Sequence, residues 1–229
     1  AIVLDCGTGM MGLPKYLQED DRQITVLLSH PHADHLLGLP MCPVVFDPGK
    51  KIDIYGAVRN KLDVRQQICT LLAPPLWPVG PAQFPAEITF RDLPQSLVLG
   101  DVTVETMPGA HPGGVSLFRI TGGGKSVVCM TDCTVTEQNL PKLAEFAKGC
   151  DLLLCDGQYS AREWPGRKHF GHSTWEAAAR LGAASGAKMV RIIHHDPLRR
   201  DDQLDQAARE LTAIHPCCTF ARAEEEISL

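Results

Sequence analysis

Short apolar runs rich in β-branched residues recur along the chain: IVL at 2–4, ITVLLS at 24–29, IDIY at 52–55, VTVETM at 102–107, VSLFRI at 115–120, SVVCM at 126–130, LLLC at 152–155 and MVRII at 189–193. Each is bounded by Gly, Pro, Asp or Asn, as strands are. Between some of them apolar positions repeat at helical spacing, which predicts helices from Val58 to Leu72, Val135 to Lys148, Thr174 to Ala184 and Asp202 to Ile214. Strands interleaved with helices around a shared core give a layered α/β architecture. The stretch APPLWPVGPAQFPA at 73–86 carries five prolines and reads as a long ordered surface loop. The strands on either side look alike, so a single domain over 1–229 is expected. Gly122 to Gly124 join two strands as a hairpin turn; no helix follows, so they are not a phosphate loop.

Composition narrows the classes. A chain of 229 residues, 44% hydrophobic and 21% charged, can bury a core without disulfides or metals to staple it. Net charge is −5, which disfavours binding of extended nucleic acid. Nine cysteines, an odd number with no CxxC pair, read as reduced cytosolic thiols, and Cys133 and Cys155 as packing residues. No apolar run approaches membrane-spanning length. A cytoplasmic protein is expected, and a homodimer stays open. The chain opens in a strand, AIVLD, without an initiator Met, which suggests that N-terminal residues, and with them one or two strands, are missing.

One stretch carries chemistry. SHPHADHLLG at 29–38 holds three histidines and one aspartate within six positions, directly after a strand. Strand C-termini form the sheet rim where α/β proteins place their sites. His30 and His32, two apart, can be aimed into one site; Asp34 and His35 follow as the chain turns toward a helix. Imidazole and carboxylate suit zinc, manganese or iron(II), and four donors exceed what one open catalytic zinc takes, so two metals are indicated. His111, Asp132 and His194 each lie just beyond another strand. Taken singly, His111 reads better as a loop histidine, Asp132 as a helix cap and His194 with His195 as core and surface neighbours. The clustered string raises the standing of all three.

SHPHADH resembles the HxHxDH motif of the metallo-β-lactamase superfamily, and LDCGTG at 4–9 resembles the DxGxG element that precedes it. The resemblance runs from Asp5 to Asp196. It implies an αββα fold of two facing sheets with outer helices. It also implies a dinuclear centre: His30, His32 and His111 on one metal, Asp34, His35 and His194 on the other, Asp132 bridging, and Asp5 orienting a ligand. Zinc is the expected metal, with manganese or iron as substitutes. GHSTWE at 171–176 resembles the additional histidine element of the ribonuclease Z-like branch, which makes His172 a non-ligand general acid. SxxE at 173–176 reads as a capping box opening the next helix. His169 is expected to be exposed, His215 structural, and Arg199 with Arg200 a solvated turn.

The implied activity is hydrolysis of a small or cyclic, nucleotide-like phosphodiester. In that mechanism Asp34 and His172 are catalytic and a hydroxide between the metals attacks. The rivals are a lactonase or thioesterase acting on a carbonyl, and a ribonuclease Z-like endonuclease.

Overall fold

A computed structural model describes residues 1–18 and 21–229. The chain forms two compact units, Ala1–Pro94 and Gln95–Leu229.

The N-terminal unit is a four-stranded parallel sheet in the order β1 (Ile2–Leu4), β2 (Gln23–Leu28), β3 (Lys51–Gly56) and β4 (Glu87–Asp92). β2 is buried from Ile24 to Leu28, a run apolar except for Thr25, as expected of a parallel strand covered on both faces. β3 alternates, placing Ile52 and Ile54 in the same core as Ile24, Val26 and Leu28. Helix α1 (Val64–Leu71) adds Val64 and Ile68 to that core. It begins six residues later than its pattern suggested, because Asp63 closes a reciprocal capping box with Gln66. After β2 the chain makes short 3-10 turns at Ala33–His35, Leu39–Met41 and Pro43–Phe46, where a helix was expected. Pro40 and Pro43 account for the interruption, since neither offers an N–H to a longer helix.

The C-terminal unit is a seven-stranded sheet in the order β11-β10-β9-β8-β7-β6-β5. Strands β5 (Ser96–Leu99), β6 (Val102–Gly109), β7 (Val115–Gly122) and β8 (Lys125–Met130) pair antiparallel. From β8 through β9 (Leu152–Asp156), β10 (Met189–Ile193) and β11 (Cys218–Phe220) the pairing is parallel. The β7–β8 hairpin turns on Gly123 and Gly124, both with positive φ, as a two-residue turn of this hand requires. Helices α2 (Leu140–Phe146), α3 (Trp175–Ser185) and α4 (Asp201–Leu211) follow β8, β9 and β10. Helix α3 lies so close to β10 that a Cβ on Gly182 would come within 2.3 Å of Val190. Its Ala178 and Leu181 are fully buried in the unit's core; truncating Leu181 to Ala would cost about 2–5 kcal/mol. The N-cap of α3 is Thr174, which accepts from the Ala177 amide, rather than Ser173. The Ser173 hydroxyl instead donates to the Cys133 carbonyl and accepts from the Val135 amide, tying this turn to the irregular segment beyond β8. Glu176 is drawn off to the Ala161 amide. No helix among the described residues is long and apolar enough to cross a membrane.

Candidate metal centre

In the N-terminal unit the donors cluster at the C-terminal ends of β1 and β2. Asp5, at φ 60°, accepts from the Ser29 amide through Oδ1 at 2.6 Å and from the Ser29 hydroxyl through Oδ2 at 2.8 Å. The same Oδ2 is 2.8 Å from His35 Nδ1. Because the Ser29 hydroxyl proton goes to Asp5, its oxygen accepts from His30 Nδ1 at 3.0 Å. Both histidines are therefore anchored through Nδ1 and present Nε2. His30 Nε2 lies 2.9 Å from His32 Nδ1, and His35 Nε2 lies 3.4 Å from Asp34 Oδ2. His30 and His35 are buried; His32 and Asp34 are exposed. Gly7 of LDCGTG and Gly38 of HLLG are steric requirements: a Cβ on Gly38 would fall 1.8 Å from the Gly7 carbonyl oxygen, and one on Gly7 2.8 Å from that of Asp34. That crossing is braced by Cys6 donating to the His35 carbonyl and Gly38 donating to the Cys6 carbonyl.

In the C-terminal unit His111, Asp132 and His194 follow β6, β8 and β10. Asp132 turns one oxygen to each histidine: Oδ2 is 3.8 Å from His111 Nε2 and Oδ1 is 3.5 Å from His194 Nε2. Asp132 and His194 sit at φ 47° and 56°, a region where a non-glycine residue is uncommon. Asp132 caps no helix, since α2 opens only at Leu140. His111 Nδ1 donates to the Gly171 carbonyl at 3.0 Å, and His194 Nδ1 is 3.4 Å from the Gln158 amide. Gly171, at φ +89°, is obligatory: a Cβ there would come 2.6 Å from His111 Nδ1 and 2.2 Å from Pro112 Cδ.

His172 is buried, and its Nδ1 is 2.7 Å from Asp156 Oδ2. Its ring stacks on His194 at 4.9 Å and meets the edge of Tyr159 at 6.1 Å. Asp156 is fully buried at the end of β9. Burial pushes its carboxyl above the ordinary aspartate range, opposed by the hydrogen bond from His172 and by the nearby imidazoles. The Gln158 and Ser173 amides both donate to Asp156 Oδ1. Sequence reasoning stopped this strand at LLLC and missed Asp156. The available signal was its position, a carboxylate ending a strand parallel to those that end beside Asp132 and His194. Asp132, Asp156, His172 and His194 bring donor atoms within 4.8 Å of one another.

The donor spacings fit metal ligation. Two ligands on one tetrahedral zinc at about 2.1 Å lie about 3.4 Å apart, and the pairs within each unit fall close to that. Neighbouring residues behave differently. His195 packs its ring edge on Phe220 with Nδ1 buried and unpartnered among the described residues, and burial pushes it below the usual imidazole range. His215 is tied to the Ala187 carbonyl and the Cys217 amide, a structural role. His169 is exposed. The Cys133 thiol is pushed up to about 11 by burial and that of Cys155 well above the usual range, which suits inert core packing. Arg199 corrects an expectation. Rather than a solvated turn, it is a mostly buried guanidinium donating to both oxygens of Glu163 at 2.9 Å, 5.1 Å over the Trp175 ring.

With the fold and both donor clusters in view, comparison with known proteins places the chain. Residues 1–195 match the family model described as the beta-lactamase superfamily domain, and the chain belongs to that family. An uncharacterised protein of Mycobacterium tuberculosis is 26% identical over 91% of this chain and 75% of its own length. Ribonuclease Z of Thermoplasma volcanium is 29% identical over 48% of this chain and 32% of its own length. Among solved structures, the metallo-β-lactamase fold protein YhfI of Bacillus subtilis superposes with a TM-score of 0.72 at 22% identity, covering 97% of this chain and 84% of that one. The human short-form tRNase Z gives 0.70 at 18%, covering 99% and 87%. These likenesses establish the α/β metallo-β-lactamase fold implied by the HxHxDH resemblance.

Proposed function

We propose that the chain is a dinuclear metal-dependent phosphodiesterase acting on a small or cyclic phosphodiester. His30, His32 and His111 would hold one metal, Asp34, His35 and His194 the other, with Asp132 shared. Bound there, two divalent ions would supply an acidified water and neutralise charge on the phosphoryl oxygens.

The observation that carries the reading is the Asp156–His172 pair. Phosphodiester cleavage expels an alkoxide, which needs a proton. His172 Nδ1 is held by a buried carboxylate that stabilises the imidazolium, so Nε2 is the atom that gives the proton. Asp5, Ser29 and Gly171 fix which nitrogen each ligand histidine presents. Gln158 Nε2 lies 3.4 Å from His194 Nδ1; for His194 to present Nε2 as a lone pair, Nδ1 must donate, which a flipped Gln158 amide would accept. A thioesterase has less use for the pair, because a thiolate leaves without being protonated. The likeness to ribonuclease Z supports phosphodiester chemistry, while the net charge of −5 favours a small substrate over a long polyanion.

The test is purified protein on bis(p-nitrophenyl) phosphate, p-nitrophenyl carboxylic esters and a panel of 2′,3′- and 3′,5′-cyclic nucleotides. Turnover of diesters is expected. Turnover of the carboxylic esters alone would overturn the reading.

A further inference from the structure

The segment between Asp156 and His172 faces two ways. Inward, Gln158 meets His194 and Gly171 meets His111. The segment is braced: Glu163 is gripped by Arg199, Arg167 donates to Asp196 at 3.2 Å, and the Trp164 indole donates to the His172 carbonyl at 3.1 Å. Outward, Lys168–Phe170 forms one 3-10 turn. The Phe170 ring is 51% exposed and lies 4.4 Å from the His169 ring at a 40° tilt. Gly171 then reverses the chain, and His172 is buried. An exposed aromatic pair thus stands on a braced turn two residues from the buried imidazole. Among the described residues no carboxylate pairs with the Lys168 ammonium beside it.

We propose that His169 and Phe170 form a stacking shelf for an aromatic base and that Lys168 attracts the phosphate, which makes the substrate class a nucleotide phosphodiester. The proposal rests on the phosphodiesterase reading. A base offers a π-face that stacks on exposed rings whatever its identity, and stacking on one aromatic side chain changes affinity by roughly 5- to 100-fold. The brace lowers the cost of ordering the turn when the base lands.

Two measurements test it. Calorimetry on protein purified without chelator compares adenosine 5′-monophosphate with ribose 5-phosphate, which share the phosphate and differ in the base. The nucleotide should bind about 10-fold tighter; Phe170→Ala should erase the preference and Phe170→Trp should keep it. Equal affinities in the unmodified protein, or a preference that survives Phe170→Ala, overturns the shelf. Kinetics compares thymidine 5′-(p-nitrophenyl phosphate) with methyl p-nitrophenyl phosphate. Phe170→Ala should lower the ratio of their kcat/KM values, chiefly through KM on the nucleotide; an unchanged ratio overturns the proposal. If neither diester is hydrolysed, the phosphodiesterase reading fails by itself, and the calorimetry still decides the shelf.

Discussion

Asp156 Oδ2 lies 2.7 Å from His172 Nδ1, and the aspartate has no exposed surface. A carboxylate in that position dictates that Nδ1 carries the proton facing it, which leaves Nε2 as the nitrogen not held by the carboxylate. Its burial makes the pairing consequential, since an ionised carboxylate without a partner would be costly there.

His172→Ala should leave metal content near that of the unmodified protein and lower kcat on a diester with a poor alkoxide leaving group by about 10²- to 10⁴-fold. With a p-nitrophenyl leaving group, which departs as a stable anion, the loss should shrink. Asp156→Asn should show the same leaving-group dependence with a loss on the order of 10- to 100-fold. Equal losses on both substrates would remove the acid role.

Elemental analysis of protein prepared without chelator should approach two transition metals per chain. The double substitution His30→Ala with His32→Ala should lower metal content and activity together. An active, metal-depleted double variant would contradict the ligand set.

His194 faces Asp132 and His195 faces Phe220. His194→Ala should deplete metal, whereas His195→Ala should change metal content little. The reverse pattern would exchange their roles.

Gly171→Ala would push a methyl group into His111 and Pro112. The expected result is weaker metal retention during dialysis against a mild chelator, with the far-ultraviolet spectrum unchanged. Unaltered retention would show that His111 does not depend on this turn.

Burial pushes Glu163 up, but the Ser160 hydroxyl and amide and the Arg199 guanidinium outweigh it and bring it to about 2, against an ordinary value of 4.5. A depressed carboxyl stabilises the fold above its unfolded pKa, and the contribution fades as pH falls from about 4.5 toward 2. Glu163→Gln should therefore lower the urea midpoint at pH 6 and have a smaller effect at pH 3. The same decrement at both would disprove the pairing.

Much of this was legible in the chain. The eight apolar runs are all strands, because β-branched runs between turn residues have few other uses. β4, β5 and β11 were missed: EITFRD carries four polar residues, SLVL is four residues long and CTF three. Helix boundaries shifted at Asp63, where a local cap overrode periodicity, and at α2, which opens at Leu140 rather than Val135. The donor string was visible because its residues are adjacent in sequence. Asp156 and the Glu163–Arg199 grip were not, because each is defined by a partner across the fold. Arg199 beside Arg200 looks like solvated charge until Trp175 and Glu163 are seen to enclose it.

Asp5, Asp132 and His194 all hold left-handed backbone, a conformation that disfavours an ordinary L-residue by about 1–2 kcal/mol and that glycine or asparagine would accept more readily. At His194 the residue best for the scaffold and the residue proposed for chemistry differ, whereas Asp5 also holds the scaffold by accepting from the Ser29 amide and hydroxyl. A laboratory selection for heat tolerance alone would be drawn to the His194 codon, and survivors carrying Gly or Asn there should be sturdier proteins with a dismantled site. A natural homologue with glycine at the position of His194 should be sought among members that have abandoned catalysis and kept the fold as a binding platform.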